Sequence, residues 1–148
     1  MDHPLKSPAE LAARLDLGAP DRLLLVDVPE ALLEVAMKER EGRNGKETRV
    51  VEGRALRTVK DPWEAILLWR EDRVGSQAIL EAVARRVSPG GFAWIIVALR
   101  KVTGVATPGA HRLGVEDLVR SFRPGEWVRD REARVSAWHV AYRFVKAV

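Results

Sequence analysis

At 148 residues the chain has the length of one domain, enough to enclose a proper hydrophobic core. Its 47% apolar and 31% charged residues describe a soluble globular protein, and no apolar run approaches the roughly 20 residues that crossing a bilayer requires. The absence of cysteine removes disulfides, thiolate metal sites and cysteine nucleophiles together.

The first residues, MDHPLKSPAE, hold no apolar signal-peptide core, so a cytoplasmic address is expected. Asn44 and Gln77 are the only side-chain amides, there are two methionines, and 19 of the 25 basic residues are arginine. Such a composition points to adaptation to heat, because amides and thioethers degrade and desolvating charge costs less when hot. The net charge of +4 is uneven, with ten basic against five acidic residues from 100 onward. A basic final third could attract phosphate or nucleic acid, but at this modest net charge a solvated surface is the favoured account.

In chain order, SPAELAARLDLG predicts a short helix with Ser7 as N-cap, Pro8 in the first turn and Glu10 closing an S-x-x-E box. Leu11 and Leu15 share its buried face, and Gly18 ends it. Arg22–Val28 reads as a strand buried on both faces, as parallel strands are. Glu30–Arg40 follows as a helix, with Pro29 as its first residue. EGRNGKET is a polar loop, and TRVVEG a second strand ending near Glu52. WEAILLWRE is a third, strongly apolar strand. About ten residues separate it from the second, too few for a full crossover helix. Either that side of the sheet is thin or the two strands are related differently.

Ser76 is expected to cap a helix running to about Val87, with SPGG as its stop and FAWIIVAL as the fourth strand. The loop RKVTGVATPGAHRLG is longer than a bare connection needs, which marks it as a candidate functional segment. GVEDLVRSF is amphipathic through Val115, Leu118, Val119 and Phe122. The remainder predicts two alternating strands in an antiparallel hairpin at the sheet edge. In the last, Trp138, Val140, Tyr142 and Phe144 share one face and Ala137, His139, Ala141 and Arg143 the other.

Familiar chemistry is mostly ruled out by spacing. GRNGKE has two residues where a P-loop needs four and Glu47 where it needs Ser or Thr. After the first strand, DVPEALL replaces the glycines that let a backbone approach a pyrophosphate or an adenosyl group. Proline removes an amide donor there, and Glu30 adds repulsion. Glu52 stands where an acid could grip ribose hydroxyls, though a solvated strand-end glutamate is the commoner case. His3, His111 and His139 lack metal-ligand spacing, so no metal is expected. Ser136 and His139, an odd number apart on an alternating strand, are expected on opposite faces and not as a catalytic pair. Trp127, Arg129 and Arg131 form the one aromatic–basic group that could serve nucleic acid.

VSPGGFAWIIVALRK resembles the later half of class I methyltransferase-like Rossmann domains. The wider order resembles a bacterial family known as domain of unknown function 3052, through LAARLDLGAPDRLLLVDVPE, DPWEAILLW, ILEAVARRVSPGGFAWIIVALRKVTG, LGVEDLVRSF and VSAWHVAYRF. That resemblance implies a fold and no reaction. Against true methyltransferases the chain departs at the glycine loop and lacks one strand of the first half.

The expected fold is therefore a single-domain α/β protein of residues 1–148. It is a reduced Rossmann-like, methyltransferase-like three-layer sandwich with a mostly parallel sheet and an antiparallel C-terminal hairpin. Ligands in such sheets bind at the carboxyl ends of the strands, which makes Asp27, Glu52, Arg70 and Lys101 the pocket candidates. The leading functional expectation is a non-catalytic scaffold without cofactor that binds a protein partner, a second copy or a small ligand. The alternatives are an S-adenosylmethionine-dependent methyltransferase with a degenerate loop, and nucleic-acid binding through the basic final third. No membrane partner is expected.

Overall fold

The computed structural model describes residues 7–60, 62–100, 102, 103, 105 and 107–148. Six strands form one sheet in the order β2-β1-β3-β4-β6-β5. They are β1 (Arg22–Val26), β2 (Glu47–Val51), β3 (Trp63–Trp69), β4 (Val87–Ala98), β5 (Trp127–Arg134) and β6 (His139–Lys146). The first four run parallel, and β6 joins β4 antiparallel with β5 outside it. Helices α1 (Pro8–Arg14), α2 (Glu30–Arg40), α3 (Ser76–Arg86) and α4 (Val115–Ser121) cover the sheet. Among them no helix is long and apolar enough to cross a membrane.

The strands' apolar runs are double-sided, and each face has its own core. One packs Leu24, Val26, Ile66, Leu68, Ile95 and Phe144 against α3 and α4. The other packs Leu23, Leu25, Leu67, Trp94 and Ile96 against Leu11, Leu15, Leu32 and Ala36 of the first two helices and their flanks. Burial on both faces excludes an edge position for β1, β3 and β4, which is why the polar β2 and β5 lie outermost.

Between β2 and β3 the chain crosses over β1 through a 3-10 helix, Gly53–Thr58, with Leu56 and Val59 buried. The thin side expected from the short spacer is thus present, and β3 pairs with β1, not with β2.

Several local expectations are corrected. Ser7 makes no side-chain cap bond, and α1 ends at Arg14 with Asp16, at φ 52°, in the left-handed position expected of Gly18. The first strand stops at Val26 because Asp27 is itself left-handed, at φ 54°. Pro29 precedes α2 as its N-cap, its carbonyl accepting the Leu32 and Leu33 amides at 3.1 and 2.9 Å. Gly75, at φ 73°, is the N-cap of α3, and Ser76 is its first residue, its hydroxyl donating to the Arg73 carbonyl. Finally, SPGG lies within β4 as a bulge: Val87 pairs with Trp63 and Phe92 with Ala65, so the segment between carries extra residues. Gly91 is required there, since a Cβ would stand 2.4 Å from the Glu64 carbonyl oxygen.

Candidate functional site at the carboxyl edge of the sheet

The parallel strands all end on one edge, and β6 begins there because His139 pairs with Ala98. From β1 the chain moves outward to β2, whereas from β3 it moves the other way to β4. The β1/β3 boundary is therefore the switch point at which open α/β sheets form a ligand crevice.

On the β1 side, Asp27 fills the turn. Its amide donates to the Val51 carbonyl at 3.1 Å, and its Oδ1 accepts the Gly53 amide at 2.9 Å. A Cβ on Gly53 would meet Asp27 Oδ2 at 2.5 Å, so the glycine makes room for that carboxylate. The carboxylate thus bridges the ends of β1 and β2. Glu52 is exposed and pairs with Arg54 at 2.5 Å, a surface contact of little energetic weight. Arg70, half-buried beyond β3, donates to the carbonyls of Asp72 (3.0 Å) and Val74 (2.6 Å), capping the approach to α3. Lys101 lies outside the described residues.

The loop after β4 is held across this edge by backbone. Arg73 N–H donates to the His111 carbonyl at 2.7 Å, and Leu113 N–H to that of Glu71 at 2.8 Å. Arg112, buried, gathers the carbonyls of Leu99, Arg100 and Thr107. Arg100 pairs with Glu116 at the start of α4. The carboxyl of Glu116 is held below its usual range by its own backbone amide and then by that guanidinium.

The aromatic–basic group near the C-terminus is not assembled as one surface. Trp127 is 5% exposed and packs edge-on against Phe122, so its faces are closed to a base. Arg131 is bonded to Asp16 at 2.8 Å, and Arg129 lies 5.7 Å from the centre of the Tyr142 ring.

Ser136 and His139 do meet, against the expectation from strand alternation. The Ser136 hydroxyl lies 2.9 Å from His139 Nδ1. Alternation fails because β6 starts only at His139. Ser136 precedes it in a tight turn, where the Val135 amide donates to the His139 carbonyl at 3.1 Å. On the ring's other side, His139 Nε2 is 2.5 Å from Glu71 Oε2. Ser136 and His139 are 1% and 0% exposed, while the Glu71 side chain, two residues past β3, keeps 22% exposure. Trp69, half-buried at the end of β3, places its ring 4.3 Å from that of His139, tilted by 42°. The sequence carries no signal for Glu71, because 68 residues separate it from His139 and only the pairing of β4 with β6 unites them. Among the described residues, no group of three or more His, Asp or Glu side chains could hold a metal ion.

No family model and no curated protein sequence matches the chain. Solved structures do. A protein of Sulfolobus solfataricus described as a type 11 methyltransferase is 18% identical, with a TM-score of 0.65 over 98% of this chain and 95% of that one. An S-adenosylmethionine-dependent methyltransferase from Aquifex aeolicus is 11% identical, with a TM-score of 0.66 over 95% and 90%. The O-methyltransferase NcsB1 of neocarzinostatin biosynthesis, in complex with S-adenosylhomocysteine and 1,4-dihydroxy-2-naphthoic acid, is 16% identical with a TM-score of 0.65. This chain spans 53% of its length. The fold is therefore that of the class I methyltransferases, a Rossmann-like sheet with an antiparallel C-terminal hairpin.

Proposed function

We propose that the chain is an S-adenosylmethionine-dependent methyltransferase whose donor site does without a glycine loop. The observation that carries this reading is the Asp27 turn. At φ 54° it holds, without glycine, a left-handed backbone at the end of the first strand, on a fold shared end to end with methyltransferases. Fold alone hosts many activities, so the site must supply the rest. Here Glu52, one residue past β2, is the acid for the ribose hydroxyls, exchanging its exposed contact with Arg54 for them. Asp27 braces that corner through Gly53. The resemblance to domain of unknown function 3052 belongs to this proposal and adds no reaction to it.

Titration calorimetry with S-adenosylmethionine and S-adenosylhomocysteine tests the reading. Saturable micromolar binding, weakened about tenfold or more by Glu52→Gln, is the expected result. Flat titrations at millimolar ligand would return the protein to the second reading, a non-catalytic scaffold. That reading is favoured by Pro29, which offers no amide, and by Glu30, whose exposed carboxylate opens α2.

A further inference from the structure

The outermost strand β5 has β6 on one side and an open edge on the other, and its residues from Val128 to Glu132 are all exposed. Four of them, Arg129, Asp130, Arg131 and Glu132, are charged and alternate in sign. Charge and a bulge are common devices for keeping an edge from pairing with another copy. Whether they close this edge depends on the register in which two copies would meet.

The bulge sets that register. Arg129 pairs with Phe144 but Arg131 with Arg143, so Asp130 is the extra residue and strict alternation is broken. Arg143 donates to both Asp130 and Asp16, and Asp16 also accepts from Arg131. Arg143 itself lies over the Phe92 and Trp94 rings, so Asp130 and Arg131 both stand on the α1 side of the sheet. Val128 and Ala133, opposite Val145 and Ala141, stand there too. Arg129, Glu132 and Arg134 stand on the other side with Trp127, because their partners Phe144, Tyr142 and Val140 belong to the core under α3 and α4.

The backbone follows the same division. Ala147 N–H donates to the Glu126 carbonyl at 2.8 Å, and Val135 N–H to the His139 carbonyl at 3.1 Å. Counting by twos from these bonds, Val128, Arg131 and Ala133 turn their peptide groups toward β6. Trp127, Arg129, Glu132 and Arg134 turn theirs outward.

A second copy laid antiparallel about a two-fold axis normal to the sheet must oppose residues of the same face. With strict alternation the central axes would fall on a residue and set like charges together. Asp130 would meet Asp130 with Arg129 on Arg131, or Arg131 would meet Arg131 with Asp130 on Glu132. The bulge moves the axis to a point between Asp130 and Arg131. Arg129 then faces Glu132 of the second copy, Asp130 faces its Arg131, and Val128 faces its Ala133. The outward-turned pairs are Arg129 with Glu132 and Trp127 with Arg134, and each can exchange two backbone hydrogen bonds. Opposite charges directly across a ladder stabilise it. Within one chain Asp130, Arg143, Asp16 and Arg131 already form a row of alternating sign, with contacts of 2.5, 3.1 and 2.8 Å. Arg131 against Asp130 of the second copy closes two such rows into a ring. Val128, 63% exposed in the single chain, is covered by the same contact.

We infer that β5 is a self-association edge, at which two copies of the chain pair antiparallel through Trp127–Arg134 and join their sheets into one. The bulge and the charge order, which would each guard an edge alone, together make this one complementary to itself. The inference is independent of the methyltransferase reading.

Sedimentation velocity of the full chain, from micromolar to millimolar concentration, is the test. Wild type is expected to pass from the 16.5 kDa chain to twice that mass as concentration rises. Glu132→Arg and Arg129→Glu each set like charges together at two symmetric places, and each should weaken dimerisation about tenfold or more. Both positions are exposed, so thermal midpoints should stay near wild type. The double exchange Arg129→Glu with Glu132→Arg should dimerise as wild type does, and the two single variants mixed in equal amounts should pair with one another. Hydrogen exchange reads the unaltered chain. The Arg129 and Glu132 amides should exchange as an open edge at micromolar dilution and slow as concentration rises, while β2 amides stay fast. A wild type that stays single at millimolar concentration, or a dimer indifferent to both single reversals, would overturn the inference. So would single variants rescued by neither the double exchange nor mixing, or a dimer whose Arg129 and Glu132 amides do not slow.

Discussion

Asp27 shows how much a single side chain can settle. A left-handed backbone costs most L-residues roughly 1–2 kcal/mol, and Asp and Asn tolerate it best because they bond locally. Asp27 does so through the Gly53 amide. Asp27→Ala should therefore destabilise by about 2 kcal/mol, losing both the bond and the tolerance. Asp27→Asn, whose amide oxygen can still accept, should cost under about 1 kcal/mol; urea midpoints separate the two. Asp130 gives a second prediction. The Arg143 guanidinium that donates to it holds its carboxyl below the usual carboxylate range. A depressed folded-state value stabilises above the unfolded value of about 3.9, and the gain disappears as pH falls through the lower folded value. The stability gap between wild type and Asp130→Asn should thus be full at neutral pH and should shrink below about pH 4, as followed by thermal unfolding across an acid series.

Among the elements, the strands' hydrophobic runs are legible in sequence and their ends are not. Arg40 explains one such end. It is 6% exposed at the last turn of α2, and donates to the Leu17 and Glu47 carbonyls at 2.9 and 3.0 Å and to the Thr48 hydroxyl. Burial is the main reason its guanidinium titrates below the ordinary value. It ties helix, strand and preceding turn together, so Arg40→Met should cost about 2–4 kcal/mol by orphaning buried carbonyls. Denaturant unfolding would register this as a lower midpoint. The β4 bulge is equally exacting. In Gly91→Ala the new methyl would press on the Glu64 and Ser88 carbonyl oxygens, both backbone, and neither can swing aside. A loss of about 3 kcal/mol or more is expected, with the m-value unchanged if the native state survives.

At the scale of the molecule, the sheet order concentrates protection in the middle. The strands β1, β3 and β4 are paired on both sides and buried on both faces, whereas β2 and β5 each have one open edge. Native-state hydrogen exchange should rank β1, β3 and β4 amides slowest and those of β2 and β5 fastest. Comparable protection across all six strands would show that the edges are covered. The same order puts the topological switch point at the β1/β3 boundary, and it brings Glu71 and His139 to one place from opposite halves of the chain.

Local physics was enough for the class of fold. Double-sided apolar runs require parallel central strands, an alternating tail requires a half-exposed hairpin, and a spacer of about ten residues leaves no room for a full crossover helix. That Asp27, Glu52 and Arg70 lie just past strand ends was legible for the same reason; their hydrogen-bond and ion-pair partners were not. The Ser136–His139–Glu71 chain was beyond reach. Whether Ser136 lies in a strand or in the turn before it depends on where the β4–β6 pairing begins. That register is a balance of contacts between residues far apart in sequence, and no local pattern records it.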